Sequence, residues 1–206
     1  MYKLYTRPGS GGFVAEAALE LAGIEFERVE TPRSAKSDPA FLALSPLGQV
    51  PALTLPEGGT ITESAAICLL LAERYPRAGL GPAPAAAERP EFLRWLLFMS
   101  SMLYPALMRY FFAERCTSDP AGLDAVKAAA IVDSDRGFAV VERALDGRDW
   151  LVGQDRTIAD IYLLMLAHWH PVADRPRPEW ANIVRLCETL KDDPVLAGLN
   201  RTHRFW

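Results

Sequence analysis

The chain has 206 residues, 50% of them apolar and 23% charged, a globular balance that excludes a disordered or collagen-like chain. Its 22 Lys and Arg against 26 Asp and Glu leave a formal net charge of −4. With no basic tail or stripe, neither nucleic acid nor a membrane surface is expected as a main partner. The opening MYKLYTRPGSGG has no apolar signal core, so no secretory leader is read there.

In chain order, residues 2–6 read as a short strand closed by Pro8-Gly9. Phe13, Val14, Ala17, Ala18, Leu21 and Ala22 recur at helical spacing and stop at Gly23, a good residue just past a helix end. Residues 24–30 alternate apolar and charged, as a half-buried strand does. Asp38-Pro39 can open a short helix through 44. Residues 52–55 and 60–62 flank the turn Glu57-Gly58-Gly59 and predict a hairpin. A helix over 64–75 then ends before Pro76. Near residue 80 the composition shifts: residues 79–87 carry Gly79, Gly81, Pro82 and Pro84 and read as a linker. Beyond it only helical patterns occur, over 88–113 with a bend at Pro105, then 124–145, 157–169 and 180–190. The architecture expected is an α/β layer over 1–78 followed by an all-α layer over 88–206.

Three scattered cysteines, Cys68, Cys116 and Cys187, with no CxxC, fit reduced thiols and a cytoplasmic protein. The apolar runs at 67–72 and 162–167 fall far short of the roughly 18 residues a membrane span needs. Thr157-x-x-Asp160 is a capping box that serves folding. His168 and His170 stand two apart, so on a helix their rings point to different faces and no metal site is read there. No phosphate-binding, dinucleotide or zinc-protease motif is present.

The segment most informative about chemistry is SPLGQVPAL (45–53), followed by TESAAI (62–67). Val50-Pro51 enters a strand where a proline is tolerated; a cis bond there would turn the Val50 backbone outward, ready to pair with a peptide ligand. Glu63-Ser64 lies where strand gives way to helix. The Ser64 hydroxyl and the free N–H groups of that turn make an anion site, and Glu63 adds a carboxylate for an ammonium. Singly, these are a strand-end proline and a helix cap; together they suit the head group of an α-amino acid.

These pieces, with KLYTRPGSGG (3–12) and TIAD (157–160), resemble the cytosolic glutathione transferases over most of the chain. The resemblance implies a thioredoxin-like N-terminal domain, an all-helical C-terminal domain, a homodimer, glutathione as co-substrate and no metal. It implies that the backbone of Val50, beside cis Pro51, binds the cysteinyl part of glutathione. Glu63 and Ser64 would hold the γ-glutamyl end, and Gln49 and Lys36 sit where carboxylate contacts are found. Lys36 reads equally well as a solvated loop lysine.

The chemistry needs a thiolate. Lowering a thiol from about 8.5 to about 6.5 takes roughly 2.7 kcal/mol of differential stabilisation, which a hydroxyl donor and a helix N-terminus can supply. Ser10, with the N–H groups of Gly11 and Gly12, is the first candidate; its plainer reading is a helix cap. Tyr5 ranks lower, because strand alternation can turn it into the core. Beta-type relatives carry Cys then Ser just after the Ser10 position, where this chain has Gly11 and Gly12, which disfavours mixed-disulfide chemistry. In FMSSMLY (98–104), Tyr104 stands where the beta-type stretch has a histidine, so its phenol is a candidate donor. Tyr104, Met108, Arg109 and Phe112 are expected to wall an apolar pocket for a small electrophile. The implied activity is attack of the glutathione thiolate on that electrophile. A non-catalytic binding protein and a glutathione-dependent peroxidase or dehalogenase are the alternatives.

Overall fold

The computed structural model describes residues 1–171 and 176–206. Four strands form one mixed sheet in the order β2-β1-β3-β4: β1 (Tyr2–Thr6), β2 (Phe26–Glu30), β3 (Ala52–Thr54) and β4 (Thr60–Ile61). β1 runs parallel to β2, pairing Thr6 with Glu30, and antiparallel to β3, pairing Tyr5 with Ala52. The β3–β4 hairpin is antiparallel. Three helices accompany the sheet: α1 (Gly12–Leu21), α2 (Pro39–Leu44) and α3 (Ser64–Arg74). The rest is helical, with α4 (Arg89–Phe98), α5 (Tyr104–Phe111), α6 (Leu123–Ala144), α7 (Ile158–His168), α8 (Ala181–Lys191) and α9 (Pro194–His203). This is a thioredoxin-like α/β layer followed by an all-α layer. Among the described residues no helix is long and apolar enough to cross a membrane.

α1 is the seam between the layers. Residues 12–19 are buried without a break, because the helix packs on α3 within its own layer and on α7 and α9 across the divide. It ends in a Schellman cap: the Gly23 N–H reaches Glu20 O at 2.9 Å and the Ile24 N–H reaches Leu19 O at 3.1 Å, with Gly23 at φ 65°. That cap uses Ile24, so β2 starts at Phe26 rather than at 24. α7 is buried along its whole length, and Leu80, from the Gly/Pro-rich stretch, accepts the Ile158 N–H at 2.8 Å.

Two expectations change in the helical layer. The long helix over 88–113 is not one α-helix bent at Pro105. Residues Met99–Leu103 form a π turn between α4 and α5, and Pro105 is the second residue of α5. Proline brings no N–H for the carbonyl four residues back, and the wider turn takes up that break just upstream. The second change is an added helix, α9. Asp193 caps it, accepting from the Val195 and Leu196 N–H groups, with Pro194 in its first turn. The same Asp-Pro device opens α2, where Asp38 accepts the Ala40 N–H at 2.9 Å.

Candidate active site

A cavity of about 440 Å³ opens where the sheet layer meets α4 and α5, within the roughly 300–1,000 Å³ range of small-molecule sites. The loop before β3 forms one side. Ser45 ties that loop: its hydroxyl donates to Gln49 O at 2.8 Å and accepts the Gln49 N–H at 3.1 Å. Gly48 allows the turn with φ 63°, and a side chain there would meet the Lys36 backbone at 2.8 Å. The Val50-Pro51 bond is cis, and Gln49, Val50 and Pro51 all line the cavity.

Facing this loop is the start of α3. Glu63 holds φ 65°, a left-handed conformation uncommon for a side-chain-bearing residue and frequent at functional sites. The first intrahelical bond here is Ile67 N–H to Glu63 O at 2.9 Å. The N–H groups of Ser64, Ala65 and Ala66 therefore have no partner within the helix, and all three residues line the cavity. The buried Ser64 hydroxyl pairs with the Tyr162 hydroxyl at 2.7 Å. Tyr162 escaped the sequence reading because its partner lies 98 residues away.

Beneath Tyr104, outside the cavity lining, lies the start of α1. The Ser10 hydroxyl donates to Arg7 O at 2.7 Å and accepts the Gly12 N–H at 3.2 Å, so its proton is already engaged within the turn. The cap position itself belongs to Gly11. The Tyr104 hydroxyl sits over Gly11, where a Cβ would come within 2.7 Å of it. A Cβ on Gly12 would collide with the Thr6 side chain. The two glycines are thus required by close approach. Burial and the Glu63 carboxylate push the Tyr104 phenol to about 12, with the Arg7 guanidinium pulling the other way. Tyr104 keeps its proton at neutral pH and is a hydrogen-bond donor.

Tyr104 is braced from behind by aromatic edges. Its ring meets Trp169 at 5.2 Å, Trp169 meets Phe205 at 6.1 Å, and Phe205 meets Phe13 at 5.0 Å. Phe13 follows Gly12 directly, so the contacts lead back to the turn under the phenol. The Asn200 side chain fixes Phe205, accepting its N–H at 2.7 Å.

The cavity thus gathers Gln49, Val50, Pro51, Glu63, Ser64 and Tyr104 from the sequence candidates, with Ser10, Gly11 and Gly12 at the turn below Tyr104. The other candidates stand elsewhere. Tyr5 packs on Phe41 of α2, ring centroids 5.9 Å apart, on the strand face opposite buried Leu4 and Thr6. Strand alternation therefore turns it away from both the main core and the cavity. The Lys36 side chain is exposed and outside the cavity lining. Arg109 is exposed and paired with Asp133 at 2.9 Å. Phe112 carries the Arg115 guanidinium over its ring at 4.1 Å, and Met108 packs on the core. In place of 108–112, the helical wall is Leu93, Leu96, Leu97 and Ser100, because the π turn resets which residues of the α4–α5 run face the sheet. Cys68 and Cys187 are buried, which pushes both thiols up. Among the described residues no cluster of three or more His, Cys, Asp or Glu is placed to hold a metal.

A thioredoxin-like sheet layer, an all-α layer and a cleft between them carrying an amino-acid-sized polar corner define a class of small-molecule transferases. Residues 15–74 match the family model of the glutathione S-transferase N-terminal domain, and residues 98–194 that of its C-terminal domain. This chain belongs to the glutathione S-transferase family. It is 30% identical over 167 residues to glutathione S-transferase GST-4.5 of Xanthomonas campestris pv. campestris, 81% of either chain. It is similar to a sphingomonad glutathione S-transferase solved in complex with glutathione, with TM-score 0.86, 30% identity and 98% of both chains covered. The bacterial beta class enzyme of Sphingomonas chungbukensis superposes with TM-score 0.86 at 26% identity, over 99% of this chain and 100% of the other.

Proposed function

We propose that this protein is a glutathione transferase that binds glutathione between the 45–51 loop and the start of α3 and turns its thiol toward Tyr104. The observation that carries the reading is convergence on one cavity: three helix N–H groups, the Glu63 carboxylate and the Tyr104 phenol all border it. In this reading the Val50 backbone pairs with the cysteinyl unit beside Pro51. The Ser64–Ala66 N–H groups take the γ-glutamyl carboxylate and Glu63 takes its ammonium. Gln49 reaches a carboxylate end of the tripeptide, and Lys36 adds long-range attraction from outside the lining.

The thiolate needs a donor, and Tyr104 has a free one. The proton of Ser10 goes to Arg7 O, so Ser10 is assigned to holding the Gly11-Gly12 turn. The thiol loses its proton to solvent; the sulfur pair then attacks an electrophilic carbon lying against Leu93, Leu96 and Leu97, and the leaving group departs with its own pair. Residues 79–87 are assigned as the linker between the layers. Met102 and Val132, exposed at 54% and 58%, support a homodimer through the helical layer.

The test is titration of the wild-type protein with reduced glutathione by calorimetry, followed by conjugation of 1-chloro-2,4-dinitrobenzene. Saturable binding that Glu63→Ala weakens at least tenfold, with glutathione-dependent turnover, is expected. No heat at millimolar glutathione overturns the reading. Binding without turnover replaces it with a glutathione-binding module.

A further inference from the structure

Six arginines among the described residues are not exposed: Arg7, Arg28, Arg89, Arg148, Arg156 and Arg177. Five of them hold a carboxylate. Arg28 holds Glu16, Arg89 holds Glu73, Arg148 holds Glu91, Arg156 holds Asp193 and Arg177 holds Asp135. Arg7 has no such partner, and its Nε is buried without a hydrogen bond. A half-buried guanidinium left unpaired loses hydration that nothing in the fold replaces. Of these six cations Arg7 alone has no carboxylate partner.

Its place fits. Arg7 directly follows β1 and belongs to the turn under Tyr104, since its carbonyl accepts the Ser10 hydroxyl. The neighbouring parallel strand β2 ends beside it: Thr6 pairs with Glu30, and the Thr31 N–H reaches Thr6 O at 2.8 Å. From there the chain enters the short 3₁₀ turn Arg33–Ser37, so Arg7 and Arg33 leave adjacent strands at the same carboxyl edge. Ligands of open α/β sheets bind at that edge. The two cations also act on one another, and Arg7 acts on the Tyr104 phenol. Repulsion between two unpaired guanidinium groups is relieved by an anion between them.

We propose that Arg7, backed by Arg33, holds the carboxylate of an acidic electrophile and so selects the second substrate of the transferase. The inference rests on the glutathione reading above and adds the charge class of the other reactant. With an aryl chloride bearing a carboxylate, the thiol proton leaves to solvent and sulfur forms the C–S bond. The C–Cl pair departs as chloride, and the carboxylate takes no part in the bond changes. Arg favours this role over Lys because its planar fork matches a carboxylate bidentately.

The experiment compares kcat/KM for 4-chloro-3,5-dinitrobenzoate with that for its methyl ester, in wild type, Arg7→Met and Arg7→Lys. The wild type is expected to prefer the carboxylate. The carboxylate-to-ester ratio should fall about tenfold in Arg7→Met, the size of one lost charge-assisted hydrogen bond, and recover in part in Arg7→Lys. A merely structural Arg7 lowers both rates together and leaves the ratio within twofold, which overturns the proposal. Turnover of the ester without a wild-type preference for the acid also overturns it and leaves the transferase reading intact. Turnover of neither substrate defeats both.

Discussion

The two sides of the cavity are built from different material. The sheet side is mainly backbone: the 45–51 loop and the open N–H groups at the start of α3 beside the Glu63 carboxylate, with, outside the lining and beneath Tyr104, a turn in which Gly11 and Gly12 are small because Tyr104 and Thr6 lie against them. The helical side is side chains: the Tyr104 phenol, the Tyr162 hydroxyl and a leucine wall on α4. Geometry on the first side is set by local turn chemistry, so it tolerates the loss of atoms poorly only where a turn is buckled, and tolerates their addition hardly at all. Function on the second side depends on which polar atoms are delivered, and therefore on the frame that delivers them.

Adding one methyl to the backbone side is the harshest test. Gly12→Ala drives a Cβ into the Thr6 side chain, which is fully buried in β1. Overpacking of this kind costs about 3 kcal/mol, read as a drop in the urea midpoint without a change in slope. A loss under about 0.5 kcal/mol would show that the turn yields, and that its glycines are not required by contact.

The frame of the helical side rests on Asp160. This buried carboxylate accepts the Leu151 N–H at 2.8 Å, the Thr157 N–H at 2.8 Å and the Thr157 hydroxyl at 3.0 Å. Asp160→Asn turns a donor toward one of those donors and should cost about 2 kcal/mol. Burial nevertheless pushes the Asp160 carboxyl up to about 6, above its ordinary value near 3.9. Between these values the folded chain binds more protons than the unfolded one. The Asp160 contribution is therefore greatest below the unfolded value and declines as pH rises toward 6. The deficit of Asp160→Asn should widen as the pH of the unfolding experiment is lowered from 6.5 to 4.5. A constant deficit would mean the carboxylate stays ionised throughout.

Legibility in the sequence holds where neighbours in space are neighbours in the chain. The Gly23 cap, the Asp38 cap and the β3–β4 hairpin each rest on residues a few positions apart. It fails where packing decides. Tyr5 and Tyr104 are both near the site by position, but Tyr5 lies on the β1 face that packs on Phe41 of α2 while α5 sets Tyr104 over Gly11. Arg109 reads as a pocket arginine until the π turn at Met99–Leu103 rotates it outward to Asp133. The pairing of Ser64 with Tyr162 joins the two layers and leaves no trace at short range. α9 was readable: Asp193-Pro194 repeats the opening of α2.

On the helical side, Tyr104→Phe removes the donor without changing the shape of the ring. The thiol of bound glutathione, followed by thiolate absorbance against pH, should rise by about one pKa unit, equivalent to about 1.4 kcal/mol. Turnover at neutral pH should fall about tenfold. The brace behind the ring gives an internal control. Phe205→Leu loosens the contact with Trp169 while leaving the hydroxyl in place, so a smaller shift in the same direction is expected. A thiol unmoved in both variants would transfer the donor role to the backbone side.

The smallest expected effect discriminates most sharply between the two hydroxyls. Ser10 and Tyr104 both border the Gly11 turn, but the Ser10 hydroxyl spends its proton on Arg7 O and accepts from Gly12 N–H. A hydroxyl in that state has no second proton for a thiolate. Ser10→Ala should therefore act as the loss of a turn buckle, costing about 1 kcal/mol of unfolding free energy. The bound thiol should stay within about 0.3 pKa units of wild type, or about 0.4 kcal/mol. A thiol shift as large as that of Tyr104→Phe would mean that glutathione binding breaks the Ser10–Arg7 bond and redirects the proton to sulfur. Arg7 O would then lose its donor as the ligand enters, so the same titration would be accompanied by lost amide protection in the 7–12 turn, where the Tyr104 mechanism predicts gained protection.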